Sequence, residues 1–71
     1  MTMDEVRELF AFQHLPDGTP VKATSETFHN FAVVMVGTLP PSAERTLMLR
    51  KLWEAKNLAV YAKVQEARHG E

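Results

Sequence analysis

The side chains with the greatest capacity for chemistry lie in one short segment, residues 10–14 (FAFQH), directly before a proline-rich loop. Two aromatic rings, an amide and an imidazole at a helix end can project together. An aromatic ring in such a place can stack on a nucleobase, for ~1–3 kcal/mol. The competing interpretation places both rings in the core. The pattern favours the core for Phe10, whereas both interpretations stay open for Phe12, which lies off the apolar face of its helix.

The three histidines, His14, His29 and His69, are the remaining candidates for acid–base or metal chemistry. None belongs to an H-x3-H pair, so structural or solvated roles are favoured, although His14 and His29 could donate a hydrogen bond to a phosphate. The chain contains no P-loop, no G-x-G-x-x-G and no G-x-S-x-G motif. We therefore expect no metal, no cofactor and no enzymatic activity.

Composition narrows the classes of partner. The chain has 71 residues, no cysteine, and eight Lys plus Arg against nine Asp plus Glu, for a net charge of −1. Duplex nucleic acid is bound largely by phosphate neutralisation, so this balance argues against DNA. The absence of cysteine from the sequence excludes disulfides and thiolate metal sites. The sequence has neither the ~18 consecutive apolar residues of a membrane span nor a signal peptide, which predicts a soluble intracellular protein.

The elements that must position these residues are helices. The chain reads as one all-α domain, 1–71, with helices at about 3–12, 25–36 and 42–67. Thr2 and Glu5 have the spacing of a capping box. Thr24 or Ser25 is predicted to cap the second helix, which is expected to end at Gly37.

Two local features decide the rest of the helical pattern. Residues 32–36 (AVVMV) would also suit a strand, but apolar residues recur with helical period from Phe28 to Met35, which favours a helix. Pro40 and Pro41 fit the start of the third helix. We therefore expect a short N-terminal helix followed by a long antiparallel helical hairpin with its bend at the two prolines.

Both arms of this hairpin are apolar on more than one side. On the third helix, one stripe contains Met48, Leu52, Ala55, Ala59 and Ala62, and a second contains Leu47, Leu58 and Tyr61, with Leu49 and Trp53 flanking. One short additional helix cannot cover both stripes. The pattern therefore predicts a homo-oligomeric helical bundle. A loosely folded monomer with exposed patches is the alternative.

Three segments, taken in order, resemble a known family. They are FAFQHLP at 10–16, the FAxxMV and LPPS pair within 31–42, and ERxxxLxxLxEA at 44–55 followed by small residues at Ala59 and Ala62. In these segments the chain resembles the small phage sponge proteins of the anti-CBASS type-two class. The hairpin domain of that class also forms part of anti-Thoeris sponges.

The resemblance implies a compact homo-oligomer, typically a hexamer, that binds cyclic di- and trinucleotide immune messengers such as cGAMP without cleaving them. Its place would be the cytoplasm of the host bacterium during phage infection. There it would block CBASS effector activation, an immune-evasion function.

The same resemblance implies a ligand site. Phe12 stands where the family usually has a base-stacking tyrosine, and Gln13 follows where a polar contact is expected. The family's phosphate-binding basic residue falls on Ser25, with Lys22 one turn earlier as a substitute. Thr27 matches a hydroxyl position that the family uses for phosphate. Near the C-terminus, Arg68 corresponds to an arginine of the same site, and Lys63 is the alternative. His14, which could donate to a phosphate, is a further candidate ligand residue.

Two other classes of function remain open. A purely structural or protein-binding helical hairpin explains the apolar stripes equally well and needs no nucleotide. A helix-turn-helix regulator would need a short basic recognition helix, which a long Leu/Ala-rich third helix fits poorly.

Overall fold

The computed structural model describes residues 1–69. Within this range the chain forms three helices, α1 (Met3–Leu9), α2 (Pro20–Thr38) and α3 (Ala43–His69), and no strand. The all-α prediction is confirmed, and residues 32–36 are helical. None of the helices in 1–69 combines the length and the apolar character that crossing a membrane requires.

The capping box at the start of α1 is present. The Thr2 amide donates to Glu5 Oε1 at 2.9 Å, and the Glu5 amide donates to Thr2 Oγ1 at 3.2 Å. α1 ends at Leu9, whereas the sequence predicted an end near Phe12. The earlier end has a local cause, since the Phe12 amide donates to Gln13 Oε1 at 3.2 Å rather than continuing the helix.

α2 begins earlier than predicted, because its cap is Thr19 rather than Thr24 or Ser25. Thr19 Oγ1 accepts from the Lys22 amide at 3.2 Å and donates to the Pro16 carbonyl at 2.8 Å. Pro20 occupies the first helical position, where its missing amide is not needed. Gly18, directly before this cap, has a φ of +76°, which glycine adopts without a steric penalty.

α2 also ends differently from the prediction. It runs through Gly37 to Thr38, and Leu39 is extended at φ −106° and ψ 138°. The residue before a proline avoids the helical region, so Pro40 sets the end of α2. α3 then starts at Ala43, after both prolines, and the Arg45 amide donates to Ser42 Oγ at 3.0 Å.

Each helix, or the turn that follows it, contributes to a small core. Val6, Phe10, Ala32 and Leu49 are fully buried. The side chains packed around them are Met1, Leu9, Phe28, Val36, Met48 and Leu52. The sequence placed Leu49 beside the two apolar stripes of the third helix, but the structure places it at the centre of the core.

α3 packs against α2. Arg45, near the start of α3, contacts Val36 near the end of α2, while Leu52 borders the same surface depression as Phe28. α1 packs against α2 at the side of this pair.

Many large apolar side chains of α2 and α3 are exposed. Phe31 of α2 is 50% exposed, at the edge of the helix face that contains the buried Ala32. The Leu47–Leu58–Tyr61 stripe of α3 also faces solvent. The other exposed large hydrophobic residues are Val34, Leu39, Trp53 and Val64. The interior of one chain therefore covers only a part of its apolar surface.

Candidate functional site

An open surface pocket of about 540 Å³ lies where the α1–α2 loop meets the first turns of α2. Its walls are Phe12, the turn at residues 17–20, and Lys22, Ala23 and Glu26 of α2. The positive end of the α2 dipole points toward this region, which favours anions. An aromatic ring and an ammonium group therefore border one cavity.

The Phe12 ring is half-buried and is held by a neighbour from α2. It meets the His29 ring edge to face, with the centroids 4.9 Å apart and the planes at 65°. His29 Nδ1 lies 3.3 Å from the Phe10 carbonyl oxygen, to which it donates. His29 therefore fixes the orientation of Phe12, a positioning role that spacing in the sequence did not indicate.

The cation of the pocket already has a partner. Lys22 Nζ forms an ion pair with Asp17 Oδ1 across the turn before α2. The hydrogen bond and the charge of Lys22 hold the pKa of Asp17 below its usual range. Glu26 adds a second carboxylate to the lining. A phosphate group entering the pocket must therefore compete with Asp17 for Lys22 and tolerate Glu26 nearby.

Other predicted ligand residues lie close to this pocket in sequence but are not part of its lining. Gln13 and His14 are exposed in the loop, and Gln13 uses its carbonyl oxygen on the backbone. The Thr27 hydroxyl donates within α2 to the Ala23 carbonyl at 3.0 Å. Ser25 is only 2% exposed, so its hydroxyl cannot reach a ligand in this conformation.

The two C-terminal candidates lie on the last third of α3. Lys63 Nζ pairs with Glu66 Oε2 at 3.1 Å, and Arg68 is exposed. Neither residue lines the pocket that contains Phe12 and Lys22. The side chain of His69 lies outside the described residues.

Arg45 is the most unusual charged residue of the described chain, and the sequence analysis assigned it no role. It is 8% exposed. Its Nη1 donates to the Val36 and Leu39 carbonyls at 3.4 and 3.2 Å, and Nη2 donates to the Met1 carbonyl at 2.7 Å. A cation suits these carbonyls because α2 ends there. In the sequence, the signal for this structural role is an arginine shortly after the two prolines that follow α2.

Lys56 serves the end of α1 in a similar way. Its Nζ donates to the Leu9 carbonyl at 3.4 Å and lies 6.0 Å from the centroid of the Phe10 ring. Burial lowers the pKa of Lys56 below its usual value. Arg45 and Lys56 are thus structural cations, and they leave the pocket near Phe12 as the candidate site.

Metal chemistry has no candidate in the part of the chain that the structure describes, where no group of three or more His, Asp or Glu side chains could hold an ion.

No protein-family model matches the chain, and neither a curated protein nor a solved structure matches it.

Proposed function

We propose that this chain is a non-catalytic binding protein that sequesters cyclic di- and trinucleotide messengers, as the phage sponge family does, in the cytoplasm of the infected host. The observation that carries the proposal is the position of Phe12 and Lys22 on one open pocket. Supporting it is the resemblance of three segments of the sequence to that family.

The pocket offers the two contacts that a cyclic nucleotide needs. A base can stack on the exposed part of Phe12, for ~1–3 kcal/mol. A phosphate can accept from Lys22 in competition with Asp17, and a charge-assisted hydrogen bond contributes ~1.5–3 kcal/mol. These contacts fall short of the ~12 kcal/mol of nanomolar binding, which an effective sponge requires.

The proposal therefore includes a homo-oligomer, with six copies as the number that the resemblance implies. Copies of the α2–α3 hairpin would bundle through their exposed apolar side chains. Symmetry repeats each cation around a ligand at an interface. Lys63 and Arg68 of a neighbouring copy are the residues that would complete the phosphate contacts.

Titration calorimetry with a panel of cyclic di- and trinucleotides tests the proposal. We expect heat with at least one member, and we expect Phe12→Ala to weaken that binding by ~10- to 100-fold without changing the mass of the assembly. Arg7→Ala is the control, since Arg7 is exposed on α1 and lies outside both the pocket and the exposed apolar side chains of α2 and α3. Absence of heat across the panel would reject the proposed function.

A second candidate function is that of an assembly or protein-interaction subunit without a nucleotide ligand. It is favoured by the exposed apolar side chains of α2 and α3, and by the two carboxylates that border the pocket. This alternative predicts no heat with any nucleotide, and it predicts that Phe12→Ala leaves assembly or protein binding unchanged.

A further inference from the structure

One face of α3 is left uncovered by its own chain and has an ordered pattern of charge. This α3 outer face consists of Leu47, Lys51, Glu54 and Leu58, all of them exposed, the two leucines by 56% and 70%. At ~100° per residue the four positions fall within an arc of about 60°. The fully buried Leu49 lies on the opposite side of the helix.

The α3 outer face has the same spacing in both chain directions. Its residues are separated by four, three and four positions, with leucines at the ends and opposite charges in the middle. If a second α3 is laid antiparallel across it, Leu47 meets Leu58 and Lys51 meets Glu54, each pair twice. A parallel arrangement would instead oppose Lys51 to Lys51.

The two charges on this face form no ion pair with any described residue of their own chain. The ion pairs formed among residues 1–69 are Lys22–Asp17 and Lys63–Glu66. Spacing by four and three is also the spacing of a helix-packing seam, in which each side chain fits between those of the facing helix. The face therefore presents a self-complementary pattern of shape and charge.

We infer that the α3 outer face binds the same face of a second copy, antiparallel, about a two-fold axis that passes between residues 52 and 53. Two Leu47–Leu58 contacts bury apolar surface and provide the affinity. Two Lys51–Glu54 contacts fix direction and register, because no other alignment brings both leucine pairs and both pairs of opposite charges into contact. The contact does not depend on any ligand in the Phe12 pocket.

Charge exchange tests the inference. In Lys51→Glu, glutamate at position 51 faces Glu54 of the other copy, and in Glu54→Lys two lysines face each other. We expect either variant to raise the dissociation constant of the two-fold contact at least ~10-fold in sedimentation or light scattering. The double variant K51E/E54K should regain the native mass, and so should an equimolar mixture of the two single variants. Arg7→Glu, which makes the same charge change on α1, is the control.

Direction is tested separately by disulfide formation, since the native chain has no cysteine. A mixture of Leu47→Cys and Leu58→Cys chains carrying different tags should yield the mixed disulfide. Predominant disulfides between identical chains would overturn the antiparallel arrangement.

The whole inference is overturned if the native chain has a mass of one 8.0 kDa chain at ~100 µM, or if both single variants keep the native mass. Calorimetry with nucleotides is a separate measurement, so failure here and failure of the proposed function can be told apart.

Discussion

Arg45 joins the N-terminus, the end of α2 and the start of α3 through hydrogen bonds. Its guanidinium group donates to carbonyls at the end of α2 and to the Met1 carbonyl. Its Nε is buried and has no hydrogen-bond partner among residues 1–69. A buried charge is costly unless it is well bonded, and here the negative end of the α2 dipole takes the place of a carboxylate. Arg45 is thus a structural cation rather than a ligand residue.

Removal of this guanidinium group should destabilise the fold. In Arg45→Met the Val36 and Leu39 carbonyls lose their donor, and we expect a loss of about 1.5–3 kcal/mol in the free energy of unfolding measured in urea. Arg50→Met, at an exposed arginine of the same helix, should change stability by less than ~0.5 kcal/mol. Equal losses in the two variants would contradict the role given to Arg45.

Asp17 acts at the proposed ligand pocket as an internal competitor for Lys22. Because the negative charge of this carboxylate competes with a phosphate for Lys22, Asp17→Asn should strengthen binding of the cyclic nucleotide by about three- to tenfold in calorimetry. Asp4→Asn, the same substitution at an exposed position of α1, is the control. Weaker binding in Asp17→Asn would mean that Asp17 contacts the ligand itself, or that the ion pair holds the pocket open.

At the scale of the elements, local signals determined what could be predicted. The Thr2–Glu5 capping box and the proline bend act over a few residues, and the structure contains both. The start of α2 was misplaced because Thr19, Thr24 and Ser25 are equally good caps by type. Thr19 is the cap because Gly18 before it accepts a positive φ and Pro20 after it suits the first helical turn.

The candidate site was predictable only as far as its residues lie near one another in the chain. Phe12 and Lys22 are ten positions apart, and their shared pocket follows from the loop between them. The contact of Phe12 with His29 and the burial of Ser25 depend on how α2 packs, which residue type and spacing do not determine. The ion pair of Lys22 with Asp17 was missed for the same reason, since it requires the turn at residues 17–20.

The cap assignment makes a prediction about α2. Thr19→Ala removes the hydroxyl that accepts from the Lys22 amide, and we expect a loss of about 0.5–2 kcal/mol in unfolding free energy. Thr24→Ala is the matched control, because Thr24 lies inside α2 and Ala is the better helix former there. If Thr24→Ala were the more destabilising of the two, the helix would begin where the sequence alone suggested.

The molecule as a whole is too elongated to bury much. Its extents are 45 × 20 × 15 Å, and its fully buried hydrophobic residues in the described range are Val6, Phe10, Ala32 and Leu49. Domains of this length are marginal without a staple, and cysteine is absent. Contacts between copies, through exposed residues such as Leu58, would add stability under the association inferred above.

If contacts between copies stabilise the fold, stability must depend on concentration, because association draws chains out of the unfolded state. We expect the thermal midpoint of the native chain to rise by several degrees between about 5 and 500 µM, followed by circular dichroism. Leu58→Asp should abolish this rise and leave the low-concentration midpoint nearly unchanged, since Leu58 is 70% exposed in one chain. Leu49→Ala, in the core, should lower the midpoint at every concentration, at a cost of about 2–5 kcal/mol. A midpoint of the native chain that stays constant over this range would mean that the small core is sufficient alone.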